Sequence, residues 1–384
     1  MTLNRIIIPL NDLKKLRKEI HKNPELAGNE KNTAKRIIFF AKRYNPDKII
    51  SNIGGNGIAV IFKGKEKGPT VLIRCELDAL PILETNKFFY RSVNKNISHK
   101  CGHDGHMAIV SGLIPLLSKN KLKKGKVVLL YQPSEETGEG AEWILKDNKF
   151  KSIKPDFVFA LHNLPGFEKG KIMLREKEFA AASKGMIVKL AGKTSHAAEP
   201  EKGINPALAV SEIISELTGL PRKVRLIKDF SLVTIIHSKI GERAFGTSPG
   251  YAEVMATLRS YKNNDMKLLT DEAVKKSKQI AKKHRLKIKI EFTEEFPATV
   301  NESICVKKID NAAKENKLKA QKIKTPFKWS EDFGHFTNHF NGALFGLGSG
   351  IKHPALHNPN YDFPDEIIEP GVKIFYSIIK QILN

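Results

Sequence analysis

Residues 10 to 44 alternate apolar and polar positions with the period of two amphipathic helices, broken at Asn23-Pro24-Glu25-Leu26-Ala27-Gly28-Asn29, where Pro and Gly interrupt the pattern. Short β-branched or apolar runs then predict strands at Ile58 to Phe62, Thr70 to Arg74, Val127 to Tyr131 and Phe157 to Leu161, with helical patterns at Met107 to Ile114 and Ala141 to Leu145 among them. Such alternation predicts an α/β sheet covered on both faces. Polar residues repeatedly follow a strand's end: Glu76 and Asp78 after Arg74, Gln132 after Tyr131, His162 after Leu161. In open α/β sheets that edge is where ligands bind.

From about Lys184 the order changes. A strand (Met186 to Leu190), helix (Pro206 to Thr218), two strands (Leu232 to Lys239, Glu253 to Arg259), helix (Asp265 to His284) and strand (Lys287 to Thr293) spell βαββαβ, the ferredoxin-like unit. After Pro297 a helix (Ser303 to Asn316), a strand (Gly342 to Leu347) and a last helix (Pro370 to Leu383) resume the first pattern. We therefore expect a catalytic α/β domain from residues 1–183 and 297–384, with an inserted α+β domain at 184–296.

The length of 384 residues exceeds what one core serves, in keeping with two domains. No apolar run reaches the roughly 18 residues of a membrane span, and the opening residues are too short an apolar stretch for a secretory signal, so a soluble cytoplasmic protein is expected. Cys75, Cys101 and Cys305 are odd in number and dispersed, which argues against a disulfide framework and leaves Cys101 available as a ligand. Lys and Arg number 65 against 41 Asp and Glu, a net charge of +24. The lysines are scattered, without interleaved aromatics or a recognisable binding module, so nucleic acid is not the expected partner; a positive field that draws small anions toward a cleft is.

Candidate chemistry concentrates in Cys101-Gly102-His103-Asp104-Gly105-His106. A thiolate and an imidazole two residues apart in an extended segment point to one side, so Cys101 and His103 can grip neighbouring positions of a metal site. Alone, the cluster reads equally as packed or capping groups. Further ligands stand at other strand ends. Glu135 and Glu136 follow Gln132-Pro133-Ser134, so one can bind metal while the other reaches water if the turn after Pro133 bends them together. The competing reading is a helix start capped by Ser134, with acids favoured by the dipole. His162, and His353 and His357 near the C-terminus, add imidazoles.

These motifs resemble the amidohydrolase branch of the dinuclear metallopeptidases of family M20, which includes hippurate hydrolases, indole-3-acetyl-amino acid hydrolases and N-acyl-amino acid deacylases. The likeness starts at His21-Lys22-Asn23-Pro24-Glu25. It continues through Leu77-Asp78-Ala79-Leu80-Pro81-Ile82, the Cys101 to His106 cluster, Gln132-Pro133-Ser134-Glu135-Glu136, His162-Asn163, Ser195-His196-Ala197-Ala198-Glu199-Pro200, Ser330-Glu331-Asp332-Phe333-Gly334 and Leu356-His357-Asn358, in the family's order.

The resemblance implies a mixed-sheet catalytic domain holding two divalent ions (zinc or manganese, with cobalt or nickel as alternatives), a lid and dimerisation insert, and a homodimer acting on a small N-acyl-amino acid. It implies Cys101 as bridging thiolate, His103 and His162 on one ion, Glu136 and His357 on the other, Glu135 as general base, and Asp78 as the partner that fixes a ligand imidazole. His196 would reach the partner subunit's site and stabilise the oxyanion. Arg259, at the end of a predicted strand in the insert, reads equally as a clamp for a substrate carboxylate and as a strand-end salt bridge. Asp104 and His106 are expected in supporting positions. Two departures stand out: Gly246 replaces an Asn that most relatives use to hold substrate, and Glu76 replaces an Asp. The rival readings are a dipeptidase or aminopeptidase of the same architecture, an inactive metal-bound binding protein, and a nucleic-acid-associated protein.

Overall fold

The computed structural model describes residues 8–384. The chain divides into two compact units: one contains the segment ending at Phe179 with Thr299–Thr325 and Asp332–Asn384, the other Ala180–Ala298 with Pro326–Glu331.

The first unit is built on an eight-stranded sheet, in the spatial order Lys48–Ile53, Gly57–Lys63, Lys124–Gln132, Glu66–Glu76, Phe157–Pro165, Asn341–Gly350, Ile172–Leu174 and Ala320–Lys322. Its four central strands, Lys124–Gln132 to Asn341–Gly350, run parallel to one another, while Gly57–Lys63 pairs antiparallel with Lys124–Gln132 and Ile172–Leu174 antiparallel with Asn341–Gly350. Parallel strands covered on both faces need continuous apolar runs, and Val127-Val128-Leu129-Leu130-Tyr131 supplies one: all five side chains are buried. The amphipathic helices Leu10–Lys22 and Ile368–Leu383 pack with the wholly buried helix His103–Ser111 and close one face, with Leu13, Ile20, Met107, Ile109, Ile374 and Phe375 in the core. Parallel direction places the carboxyl ends of Glu66–Glu76, Lys124–Gln132 and Phe157–Pro165 along one edge, and the candidate ligands sit there.

The second unit is a four-stranded antiparallel sheet in the order Ser231–Ile240, Tyr251–Ser260, Ala182–Ala191, Lys287–Phe296. Numbered in chain order and read from the Lys287–Phe296 edge, this is 4-1-3-2, the ferredoxin-like arrangement. Helices Ala207–Lys223 and Asn263–Lys283 pack against each other and against this sheet. Burial alternates along Tyr251–Ser260, with Ala252, Val254, Ala256 and Leu258 inward, as expected of a sheet covered on one face. The chain is thus a mixed α/β fold with an α+β insert. Strands Lys48–Ile53, Ile172–Leu174 and Ala320–Lys322 were not expected from the sequence. The last two have three residues each, too few for a period to show, and Lys48–Ile53 is largely exposed.

Candidate metal centre

Each candidate ligand is delivered by a specific turn. Cys101 and His103 do not lie in the extended segment the sequence suggested: Gly102 takes a left-handed conformation (φ +93°), and His103 opens the helix His103–Ser111. That turn brings thiol and imidazole together. It also requires glycine, since a Cβ at Gly102 would stand 2.5 Å from the Asn163 side chain. After Gln132 and Pro133, Ser134 is likewise left-handed (φ +54°), and the chain bends so that Glu135 and Glu136 face the same region. His162 projects from within Phe157–Pro165, and His357 (φ +64°) is tied by its N–H to the Lys100 carbonyl at 2.8 Å.

The turns converge. Ligand atoms of Cys101, His103 and His162 lie within 4.8 Å of one another, as do those of Cys101, Glu136 and His357, and of His103, Glu135 and Glu136. Cys101 belongs to two of these groups. Its Sγ is 3.5 Å from His162 Nε2, and His103 Nε2 is 3.8 Å from both Glu135 Oε2 and Glu136 Oε1. Two of the candidate imidazoles are anchored through Nδ1 to backbone carbonyls at 2.9 Å, His103 to Asp78 and His162 to Asn163, which turns each Nε2 into the cluster.

His103 Nε2 is buried and makes no hydrogen bond among the described residues. An orphaned nitrogen among a thiol, a second imidazole and two carboxylates is a donor set that fits a transition metal. The field agrees: burial alone would lower His103, yet Asp78, Glu76 and Glu136 outweigh it and carry the imidazole up to about 10, so the site attracts positive charge. Burial, with the charge of His106, pulls His162 down to about 3. Asp78 accepts from the Glu136 N–H at 2.9 Å through Oδ2, so it braces one candidate ligand by its side chain and another by its carbonyl.

Two buried polar layers support the cluster. In the first, Arg74 bonds Glu76 and Asp332 and donates to Gln132 Oε1 at 2.8 Å; Glu76 then meets His106 Nδ1 at 2.6 Å, and His106 Nε2 meets Asn163 Oδ1 at 2.5 Å. Glu76 thus belongs to this first layer, bonded to Arg74 and His106, with a carboxylate oxygen within 4.8 Å of a ring nitrogen of His103. Asp332 also accepts from Gln132 and the Ala141 N–H, and its own N–H points to Glu135 Oε1 at 3.4 Å. Of these, sequence reasoning missed Arg74; a charge inside the apolar run Val71-Leu72-Ile73-Arg74 was the available signal.

In the second layer His21 lies between Asp104 (2.9 Å) and Glu84 (3.0 Å), and Arg17 pairs with Asp104, Asp362 and Asp365. Burial disfavours charge on His21, but the two carboxylates prevail and raise it from 6.5 to about 9. Burial would raise Glu84, yet His21 and Lys100 lower it from 4.5 to about 2. The signs are opposite. His21 contributes stability that is complete below 6.5 and lost as pH rises through about 9; Glu84 contributes stability complete above 4.5 and lost as pH falls toward about 2. His21→Ala is expected to cost about 3 kcal/mol near pH 6, and the deficit should shrink as pH rises past the folded-state value. Urea unfolding across pH checks this; a pH-independent deficit would contradict it.

The structure does not place His196 or Arg259 in the first unit; both belong to the second. His196 is exposed and pairs through its backbone with Thr247, beside Gly246, whose carbonyl accepts from the Ala197 N–H at 3.0 Å. A Cβ at Gly246 would meet nothing within 4 Å, so no neighbouring side chain has filled the position beside this glycine. Arg259 donates from Nη1 to the Lys328 carbonyl and Ser330 Oγ, each at 3.0 Å.

Residues 72–381 match the pattern describing Peptidase family M20/M25/M40. The chain is 28% identical over 375 residues to hippurate hydrolase of Campylobacter jejuni, covering 97% of each chain. It is 28% identical over 375 residues to N-acetyl-L-cysteine deacetylase of Bacillus subtilis, covering 96% of this chain and 88% of that one. In three dimensions it resembles a dinuclear metal binding peptidase from Bacillus subtilis, with a TM-score of 0.82 at 23% identity, covering 97% of this chain and 98% of that one. No helix among the described residues is long and apolar enough to cross a membrane.

Proposed function

The chain belongs to peptidase family M20/M25/M40 and is a hydrolase of that family; on that premise we propose that it cleaves the amide bond of an N-acyl-amino acid or a similar small amide. The convergence of Cys101 with both the His103/His162 and the Glu136/His357 pairs carries the reading, because one thiol shared by two ligand sets suits a two-ion centre. Cys101 would bridge, His103 and His162 would hold one ion, and Glu136 and His357 the other. Two divalent ions bound there, zinc or manganese with cobalt or nickel as alternatives, would polarise the amide carbonyl and acidify water.

The protein's own groups do the rest. Glu135, buried and adjacent to the ligand cluster, takes the proton from the attacking water and passes it to the leaving amine. Asp78 orients His103 and Glu136. His196, from the second unit of a partner subunit, donates to the developing oxyanion, and Arg259 pairs with the substrate carboxylate. The dimer this requires is supported by Ser231–Ile240, an edge strand of the four-stranded sheet that exposes Leu232, Ile236 and Ile240.

A panel of N-acyl-amino acids, read by release of free amine from the metal-loaded protein, tests the activity; hydrolysis of peptides with free N-termini, and of no acylated amino acid, would contradict it. His196→Ala is expected to lower kcat about a hundredfold or more while metal content and sedimentation as a dimer persist. Wild-type turnover in that variant would remove His196 from the reaction.

A further inference from the structure

We infer that Glu30, which no sequence motif singled out, is the positioning residue for Glu135 and Glu136, acting through Ser134; the inference rests on the roles proposed for those two carboxylates. Glu30 is wholly buried at the start of helix Lys31–Lys42. Its Oε1 accepts from the Ser134 N–H at 2.8 Å, Ser134 Oγ at 3.3 Å and the Gly28 N–H at 2.9 Å, and its Oε2 accepts from Asn56 Nδ2 at 2.9 Å. These four donors are all neutral. A buried carboxylate is a costly way to satisfy neutral donors, and core packing alone gives no reason for one.

The reason lies in the turn. Ser134 is held at φ +54°, a conformation disfavoured for any residue with a Cβ, and it is the residue that redirects the chain so that Glu135 and Glu136 share a side. Glu30 grips the amide before Glu135, and Asp78 grips the amide after it, the Glu136 N–H at 2.9 Å. Two carboxylates thus clamp the backbone on either side of the base. Gly140 N–H closes the turn on the Ser134 carbonyl at 3.0 Å. Released from Glu30, Ser134 relaxes toward ordinary backbone angles and both carboxylates lose their aim, although neither touches Glu30.

A rescue experiment separates this role from a purely structural one. Glu30→Ala should lower kcat about a hundredfold with KM little changed, and weaken metal binding about tenfold, read by competition with a chromophoric chelator. Glu30→Gln keeps one oxygen for the Ser134 amide and should stay within about fivefold of wild type. Adding Ser134→Gly to Glu30→Ala removes the penalty on the left-handed turn and should restore about tenfold of the lost kcat and most of the metal affinity. Should Glu30→Ala not fold, Glu30→Asp, too short to reach Ser134, takes its place in the same cycle. Losses that Ser134→Gly leaves untouched, or a folded variant without loss, would overturn the inference. The metal arm needs no substrate: a wild type that binds metal but cleaves no amide defeats the proposed activity, while the rescue of affinity still decides for or against Glu30.

Discussion

Glu135→Gln is expected to retain wild-type metal content and lose turnover by about a thousandfold. The substitution keeps the side chain's size and its hydrogen bond from the Asp332 N–H, and removes only the ability to take a proton. Because Glu135 is one residue removed from the proposed ligand Glu136, metal content is what gives the result its meaning. Loss of turnover with metal intact assigns proton transfer to Glu135, whereas loss of both would make it a ligand. Its carboxylate is 3.8 Å from His103 Nε2, near enough to the cluster for either part before the measurement is made. Elemental analysis of the dialysed protein beside steady-state kinetics checks it, and full activity in the variant would contradict the assignment.

The second large effect concerns stability. Arg74→Met should destabilise the protein by about 3 to 5 kcal/mol, because it leaves Glu76 and Asp332 buried without their shared counter-charge. Burial alone would push the Glu76 carboxyl upward; Arg74, with His106 assisting, holds it well below the usual carboxylate range. Stability from this pair is therefore present at neutral pH and lost on acidification. Arg74→Lys should recover only part of the loss, since a single ammonium cannot reproduce a fork that meets Gln132, Glu76 and Asp332 together. Denaturant unfolding measures both variants, and a change below about 1 kcal/mol for Arg74→Met would show that the layer beneath the cluster is not held by this charge.

Local periodicity was enough to find the long elements. The runs at residues 58–62 and 127–131, and the ββ succession at 232–239 and 253–259, each fall inside an observed strand because their burial is decided by side chains a few residues apart. The three-residue strand Ile172–Leu174 depends on distant partners, Ala320–Lys322 and Asn341–Gly350, and carries no local signature. At the centre, residue type and order were legible while geometry was not. Cys101 and His103 meet through a left-handed Gly102 and a helix start, not along an extended segment. The bend required after Pro133 exists, but its cause, Glu30, lies about a hundred residues upstream, where only a folded chain brings it to Ser134. The Asp332 motif shows the same limit: its residues matched a family pattern, but that they lock Arg74 and Gln132 beneath the cluster follows from packing alone.

The central claim, a two-ion amide hydrolase centred on Cys101, is tested most directly by titrating chelator-stripped protein with zinc or manganese while following amine release from an N-acyl-amino acid. The stripped protein should show no turnover, and activity should rise with added metal and saturate at about two ions per chain. Turnover that survives stripping, or saturation at a single ion, would contradict it.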